Sequence, residues 1–344
     1  MSQSQPSDRS AGEAAVRRAA LKGQNFDTCQ RLATIAAVCE RLAALGCTTA
    51  ADVGGHPGLL ADHLPPGLRC RAIVDLPSCP RPDHVCGSAL ALPLHSEAVD
   101  VVLSADTLEH VPDFRVAARE LARVAKRAAV ISAPWRRKPT EAVEEMLCRW
   151  HLQLTGMDHP WLSEHREMGL PDVDAVAEAF QARGWHTAQF ACGTLTEWTL
   201  LQTALLVVDL LPAEHVDFGT FNRRYNEAWP VRLTRSLPPQ SYRTVLVAAA
   251  DSAWLDAIEE SAPAEPSEAP PLLIGMELLD GMFTALQEAI ASKGGKSNFD
   301  SAYLARLEEL TRQQAAEIDA LRSQVQPPSR LGRLTARLKG RGKE

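Results

Sequence analysis

Thr49-Ala-Ala-Asp-Val-Gly-Gly-His-Pro-Gly58 runs from a short apolar stretch into a turn with three glycines. The order predicts a buried strand, then a glycine-rich loop, then a helix. Gly54 and Gly58 accept backbone angles closed to other residues and let the main chain approach a ligand, while the first turn of the helix points unpaired N–H groups toward it. In α/β proteins this is where a nucleotide-like cofactor sits. Such a turn also ends strands for purely topological reasons, so the neighbouring segments must decide.

Arg71-Ala-Ile-Val-Asp75 reads as a second strand, and its terminal acid lies 23 residues after Asp52, near the spacing of about 20 at which an acid meets a ribose. Ala98-Val-Asp-Val-Val-Leu-Ser104 is almost wholly apolar, as a strand covered on both faces is, and it leads into Ala105-Asp-Thr-Leu-Glu-His110. Ligands of open α/β sheets lie outside the carboxyl ends of the strands, so these three ends define one crevice. Residues 26–45 space Leu32, Ile35, Cys39, Leu42 and Leu45 as one face of a helix closed by Gly46. A helix over 114–126 and a strand at Ala128-Ala-Val-Ile-Ser132 extend the β-α-β alternation, and Ala133-Pro-Trp135 ends over the same crevice. The fold class is α/β, a doubly wound, Rossmann-like sheet.

With these segments in place, residues 26–250 resemble the class I S-adenosylmethionine-dependent methyltransferases. Gly87-Ser-Ala-Leu-Ala-Leu-Pro-Leu94 and Val99-Asp-Val-Val-Leu-Ser-Ala-Asp-Thr-Leu-Glu-His-Val-Pro112 are similar to the small-molecule branch called type 11. The resemblance implies a seven-stranded sheet with S-adenosylmethionine as cofactor. It implies that Asp52, Gly54, Gly55 and Gly58 wrap the methionine end, and that Asp75, with Leu76 beside it, meets the ribose. Ser88 and Ala89 would lie against the adenine, Ser104 and Ala105 near the methionine moiety. The family turn usually carries another glycine where this chain has His56, and an aspartate where it has Ser88.

Residues 141–154 read as a helix, and 156–171 are too punctuated by glycine and proline for a regular element. The two together, 141–171, are expected to form a substrate cap, with a second insertion at 193–240. Residues 172–183 predict a helix, 185–191 and 241–249 two strands; by resemblance the two strands form the antiparallel edge of the sheet. For catalysis, His110 follows the strand that carries Ser104 and is a candidate general base, the alternative being that Glu109 and His110 cap the next helix. Glu164 beside His165 is a second candidate base with its orienting carboxylate. A metal at His159, Glu164 and His165 is not expected, because their spacing matches no defined site. Trp135, Trp150 and Trp161 suit a pocket wall or core packing equally well.

The 344 residues include 36 basic and 43 acidic side chains. No apolar run reaches the 18 residues of a spanning helix, and residues 1–18 lack the core of a secretory signal. Eight cysteines form no Cys-x-x-Cys pair, which predicts free thiols. Residues 1–10 read as disordered and 11–251 as the methyltransferase domain. Then come a Pro-rich linker at 252–271, a helical region with a short coiled coil at 272–326, and a basic amphipathic tail at 327–344. Without the tail's six basic residues and Glu344, 30 basic residues face 42 acidic ones, so nucleic acid is not an expected partner. The tail is expected either to adsorb weakly to anionic membrane or simply to solubilise, and the coiled coil to join copies of the chain.

The expected function is S-adenosylmethionine-dependent transfer to a small or glycan-linked acceptor, at oxygen, in the cytoplasm or at the inner face of the membrane. The glycan element rests on the resemblance of Trp161-Leu-Ser-Glu-His165, Gly169-Leu-Pro171 and Ser241-Tyr-Arg-Thr244 to methyltransferases of cell-surface polysaccharide synthesis. The alternative is a catalytically inactive methyltransferase-like scaffold.

Overall fold

The computed structural model describes residues 21–208, 218–235 and 241–259. Helix α1 (Phe26–Ala44) begins at Asn25, whose side chain accepts from the Thr28 N–H at 2.8 Å, and buries Leu32, Ile35, Val38, Cys39 and Leu42. It delivers the chain to β1 (Thr49–Val53), followed by α2 (Leu59–Asp62), β2 (Arg69–Asp75), β3 (His84–Cys86) and β4 (Val99–Ala105). Next come a 3-10 turn (Leu108–His110), α3 (Phe114–Val124), β5 (Ala125–Pro134), α4 (Lys138–Thr155), α5 (Pro160–Met168) and α6 (Val173–Gln181). The remaining elements are β6 (His186–Cys192), α7 (Leu195–Val208), α8 (Phe218–Ala228), β7 (Arg243–Ala249) and α9 (Ser252–Ile258).

The seven strands make one sheet in the order β3-β2-β1-β4-β5-β7-β6. Pairings through β5 are parallel, while β7 runs antiparallel to both β5 and β6. Among the described strands β7 alone is reversed, and with β6 it forms the antiparallel pair that the sequence suggested at the edge. Burial explains the placement: all seven residues of β7 are buried, whereas β6 is largely half-exposed. A strand apolar on both faces belongs inside the sheet. Along β4 the side chains alternate, Val101 and Leu103 packing with α1 and Val102 with α3 and α6. Both faces are thus covered, as in a doubly wound α/β fold.

Four expectations need correction. Residues 160–168 are the helix α5 rather than an irregular segment. His159 caps it, Pro160 stands in the first turn where its missing N–H costs nothing, and Gly169, at φ 79°, ends it. The expected linker does not start at 252, because Asp251 caps α9 and buries Leu255 and Ile258. The helix after the glycine loop is a single turn, α2. Asp113, not Glu109 or His110, caps α3, accepting from the N–H groups of Arg115 and Val116.

The two insertions meet in one apolar cluster, with Leu147 and Cys148 of α4, Leu162 of α5, Trp198 of α7 and Tyr225 of α8 packed together. Trp135 is core, its Nε1–H donating to the Thr244 carbonyl at 3.0 Å. Trp150 packs partly buried against the cap, and Trp161 is 67% exposed. All eight cysteines are free thiols. Among the described residues, no helix is long and apolar enough to cross a membrane. Expectations for residues 1–10, for the linker beyond 259, for the coiled coil of 272–326 and for the tail of 327–344 lie outside the described residues, as do 209–217 and 236–240 of the second insertion.

Candidate active site at the strand ends

The register sets Val53 beside both Val74 and Ser104, and Ala105 beside Ser132, so β2, β1, β4 and β5 end along one edge. Gly54 turns away at φ 77° and Gly58 at φ 106°. A Cβ on Gly54 would run into Thr107, whose hydroxyl donates to the Val53 carbonyl at 3.1 Å, and one on Gly55 into the Asp52 carboxyl. The glycines let the loop close over these side chains. Arg81, held by Asp62 and Asp83, reaches within 2.8 Å of where a Gly58 Cβ would stand.

Asp75 ends β2 with both carboxylate oxygens engaged. Oδ2 accepts from the His56 N–H at 3.0 Å and Oδ1 from the Leu76 N–H at 2.7 Å. The Gly87 N–H donates to the Asp75 carbonyl at 3.0 Å, which brings the Ser88-Ala89 turn alongside. The Ser88 hydroxyl accepts from the Leu90 N–H at 3.2 Å, so it shapes that turn while keeping its own O–H to donate. Leu76 stands 69% exposed beside Asp75. All ten residues assigned to cofactor binding from the sequence therefore lie along this edge.

Three of the buried polar groups here have no hydrogen-bond partner among the described residues: the Asp52 carboxyl, the Ser104 hydroxyl and the Ser132 hydroxyl. Burial, reinforced by the nearby Asp75, pushes the Asp52 carboxyl up to about 7. Unpartnered polar atoms are costly in an apolar interior. A cationic, hydroxyl-bearing ligand such as S-adenosylmethionine fits this donor and acceptor set and the glycine cradle. Asp52, Ser104, Gly54, Gly55 and Gly58 would hold its methionine part and Asp75 its ribose.

Beyond Ala105 the chain enters an ionic cluster that the sequence did not disclose. Asp106 holds a left-handed backbone, φ 50°, and its carboxylate is gripped by Arg243 at 2.9 and 2.6 Å and by Arg31. Arg243 also pairs with Asp27, which accepts from the Trp198 indole at 2.9 Å. Burial alone would push the Asp106 carboxyl up, but Arg243 and Arg31 outweigh it and hold it down. Because β7 is reversed, it starts where the parallel strands end, and this places Arg243 in the site. A lone arginine opening an otherwise uncharged strand was the available signal.

The 3-10 turn and α5 bring the candidate catalytic groups together in a different pairing. His110 Nδ1 lies 2.8 Å from Glu164 Oε2, and His165 Nδ1 lies 3.1 Å from Glu144 Oε1, which also accepts from the Tyr242 hydroxyl at 2.7 Å. The expected Glu164–His165 pair does not form, since consecutive helical residues point about 100° apart. The two imidazoles are 5.0 Å apart, tilted by 50°, and Glu109 is buried beside them. His159 is outside this group, occupied in capping α5. Burial, then His165, lowers His110 below its ordinary 6.5, and burial followed by Asp106 raises the Glu109 carboxyl well above the usual range.

Residues 69–132 match the family described as a methyltransferase domain. No curated protein matches the chain. Among solved structures, the YcgJ protein of Bacillus subtilis is 14% identical, with 62% of this chain and 95% of that one covered at a TM-score of 0.34. A chain from the complex of the Trm112 activator with a methyltransferase of Haloferax volcanii is 16% identical over 72% and 99%, TM-score 0.36. An S-adenosylmethionine-dependent methyltransferase of Thermotoga maritima is 12% identical over 64% and 91%, TM-score 0.35. Identity this low says nothing about substrate. Within the seven-stranded sheet, residues 69–132 are thus similar to a methyltransferase domain.

Proposed function

We propose that the enzyme methylates a hydroxyl oxygen of a small or glycan-linked acceptor. The observation that carries this reading is the convergence of Glu109, His110 and His165 just past the end of β4. A hydroxyl is a poor nucleophile until something accepts its proton, and imidazole suits that task near neutral pH. With each Nδ1 turned to a carboxylate, each ring keeps its Nε2 lone pair to accept a proton. Bound at the strand ends, S-adenosylmethionine supplies an electrophilic methyl group on a sulfonium. The chain's own residues align the acceptor, and the apolar cap of α4, α5, α7 and α8 keeps water away.

Trp161 supports a sugar-bearing acceptor. It stands on α5 one turn before Glu164, and its exposed indole offers a flat apolar surface for a pyranose face. The test supplies methyl-labelled S-adenosylmethionine with nucleotide sugars, lipid-linked glycans and simple alcohols. Label recovered as a sugar ether is the expected result. Label on nitrogen would overturn the assignment to oxygen. Absence of both calorimetric heat and thermal shift at millimolar cofactor would instead favour the inactive scaffold.

A further inference from the structure

We infer that Glu109, His110 and His165 form a binding site for one divalent first-row metal ion of the zinc class, ligated by a Glu109 oxygen and the Nε2 atoms of both imidazoles. The inference rests on the cluster being where the acceptor hydroxyl is activated, and it changes what does the activating: a Lewis acid held by the imidazoles rather than a free imidazole.

Three observations support the site. One ligand atom from each residue lies within 4.8 Å of the other two. Four-coordinate zinc holds its ligands about 3.3 Å apart at bonds of about 2.0–2.2 Å, so closure asks for a movement of about 1.5 Å shared by three side chains. Next, each ring has its Nδ1 turned to a carboxylate, His110 to Glu164 and His165 to Glu144, with no further ring hydrogen bond among the described residues. That pairing sets the Nδ1–H tautomer and leaves Nε2 as the donor, which is how metal-bound histidines are usually oriented. Finally, Glu109 is 1% exposed and neither carboxyl oxygen has a partner. The nearby guanidinium groups of Arg243 and Arg31 are engaged by Asp106. A buried acidic group grouped with two imidazoles is completed by a cation.

The donor set selects the ion. Two imidazoles and one carboxylate suit zinc, cobalt, nickel or iron, whereas magnesium and calcium take oxygen ligands. Glu144 and Glu164 behind the rings add negative charge that offsets a doubly charged ion. Three protein ligands leave coordination open for a hydroxyl.

The full-length chain, stripped with chelator and dialysed, is titrated with cobalt(II) and followed by its visible d–d absorption, with S-adenosylmethionine binding measured separately by calorimetry. One cobalt per chain, displaced by zinc, is expected. Glu109→Gln keeps the side-chain shape but removes the charge, and at least tenfold weaker cobalt binding is expected. Glu164→Gln acts only through His110 and is expected to weaken the ion about ten- to a hundredfold. This exposed position keeps the test available if Glu109→Gln fails to fold. No d–d band in a wild-type chain that binds S-adenosylmethionine overturns the inference and leaves the methyltransferase reading standing. A thiolate charge-transfer band, or a spectrum unchanged in both variants, also overturns it. Cobalt binding lost in the variants, in a chain that fails to bind S-adenosylmethionine, supports the metal site while the methyltransferase reading falls.

Discussion

Replacing Asp52 by Asn should make the protein's stability less dependent on pH. The Asp52 carboxyl is 1% exposed, has no hydrogen-bond partner among the described residues, and sits near Asp75; burial chiefly, then that neighbour, raise it from 3.8 to about 7. A carboxyl raised in the folded state contributes stability that is fully present below its unfolded value and is lost as pH climbs through the folded value. The whole interval corresponds to about 4 kcal/mol, and the part falling between pH 5 and pH 8 to about 2.5 kcal/mol. Asn carries no charge at any of these pH values, so its own desolvation cost stays constant. Urea unfolding of wild type and variant at pH 5, 6, 7 and 8 isolates this group, because all other titrations cancel in the difference. The variant should gain on wild type by about 2.5 kcal/mol from the lowest to the highest pH. A difference that stays flat would mean that Asp52 is charged and solvated in the folded protein, and the argument for a cation-seeking pocket beneath Gly55 would go with it.

Asp75→Ala should weaken S-adenosylmethionine binding by about 1–3 kcal/mol, read by calorimetry; unchanged affinity would remove Asp75 from the site. Arg243→Met should cost about 1–3 kcal/mol of stability, because it leaves the partly buried Asp106 and Asp27 to Arg31 alone, and a urea midpoint equal to wild type would show that Arg31 suffices. His110→Ala should reduce turnover about a hundred- to ten-thousandfold while leaving cofactor affinity intact; a loss confined to the acceptor's KM would make His110 a binding residue only.

The edge formed by the strand ends was legible because its signals are local. Buried parallel strands read as apolar runs, and the positive-φ turns at Gly54 and Gly58 demand glycine. Strand β3 was not legible: His84, Val85 and Cys86 have no periodicity and owe their extension to pairing with Ile73, Val74 and Asp75. The histidine pairings were hidden for another reason. Glu164 next to His165 looks like a dyad in one dimension, but the helix sends them apart, and their partners His110 and Glu144 lie 54 and 21 residues away. Arg243 stood out only as the lone charge of its strand, and it became a site residue once β7 proved to be reversed and interior.

The strand ends divide into two halves with opposite energetics. Asp106, Arg243, Arg31 and Asp27 pair with one another, tying α1 to the start of β7, so truncating a member weakens its partners and the loss falls on folding. Asp52, Ser104, Ser132 and Glu109 lack protein partners among the described residues, so each burdens the fold unless something outside the chain completes it. Neutral, shape-conserving substitutions in the second half should therefore leave stability level or raise it above pH 7 and weaken ligand binding, the trade expected where a site keeps polar groups for a partner rather than for itself. Opposite signs in the two halves would be hard to produce by chance packing, since both lie on the same edge.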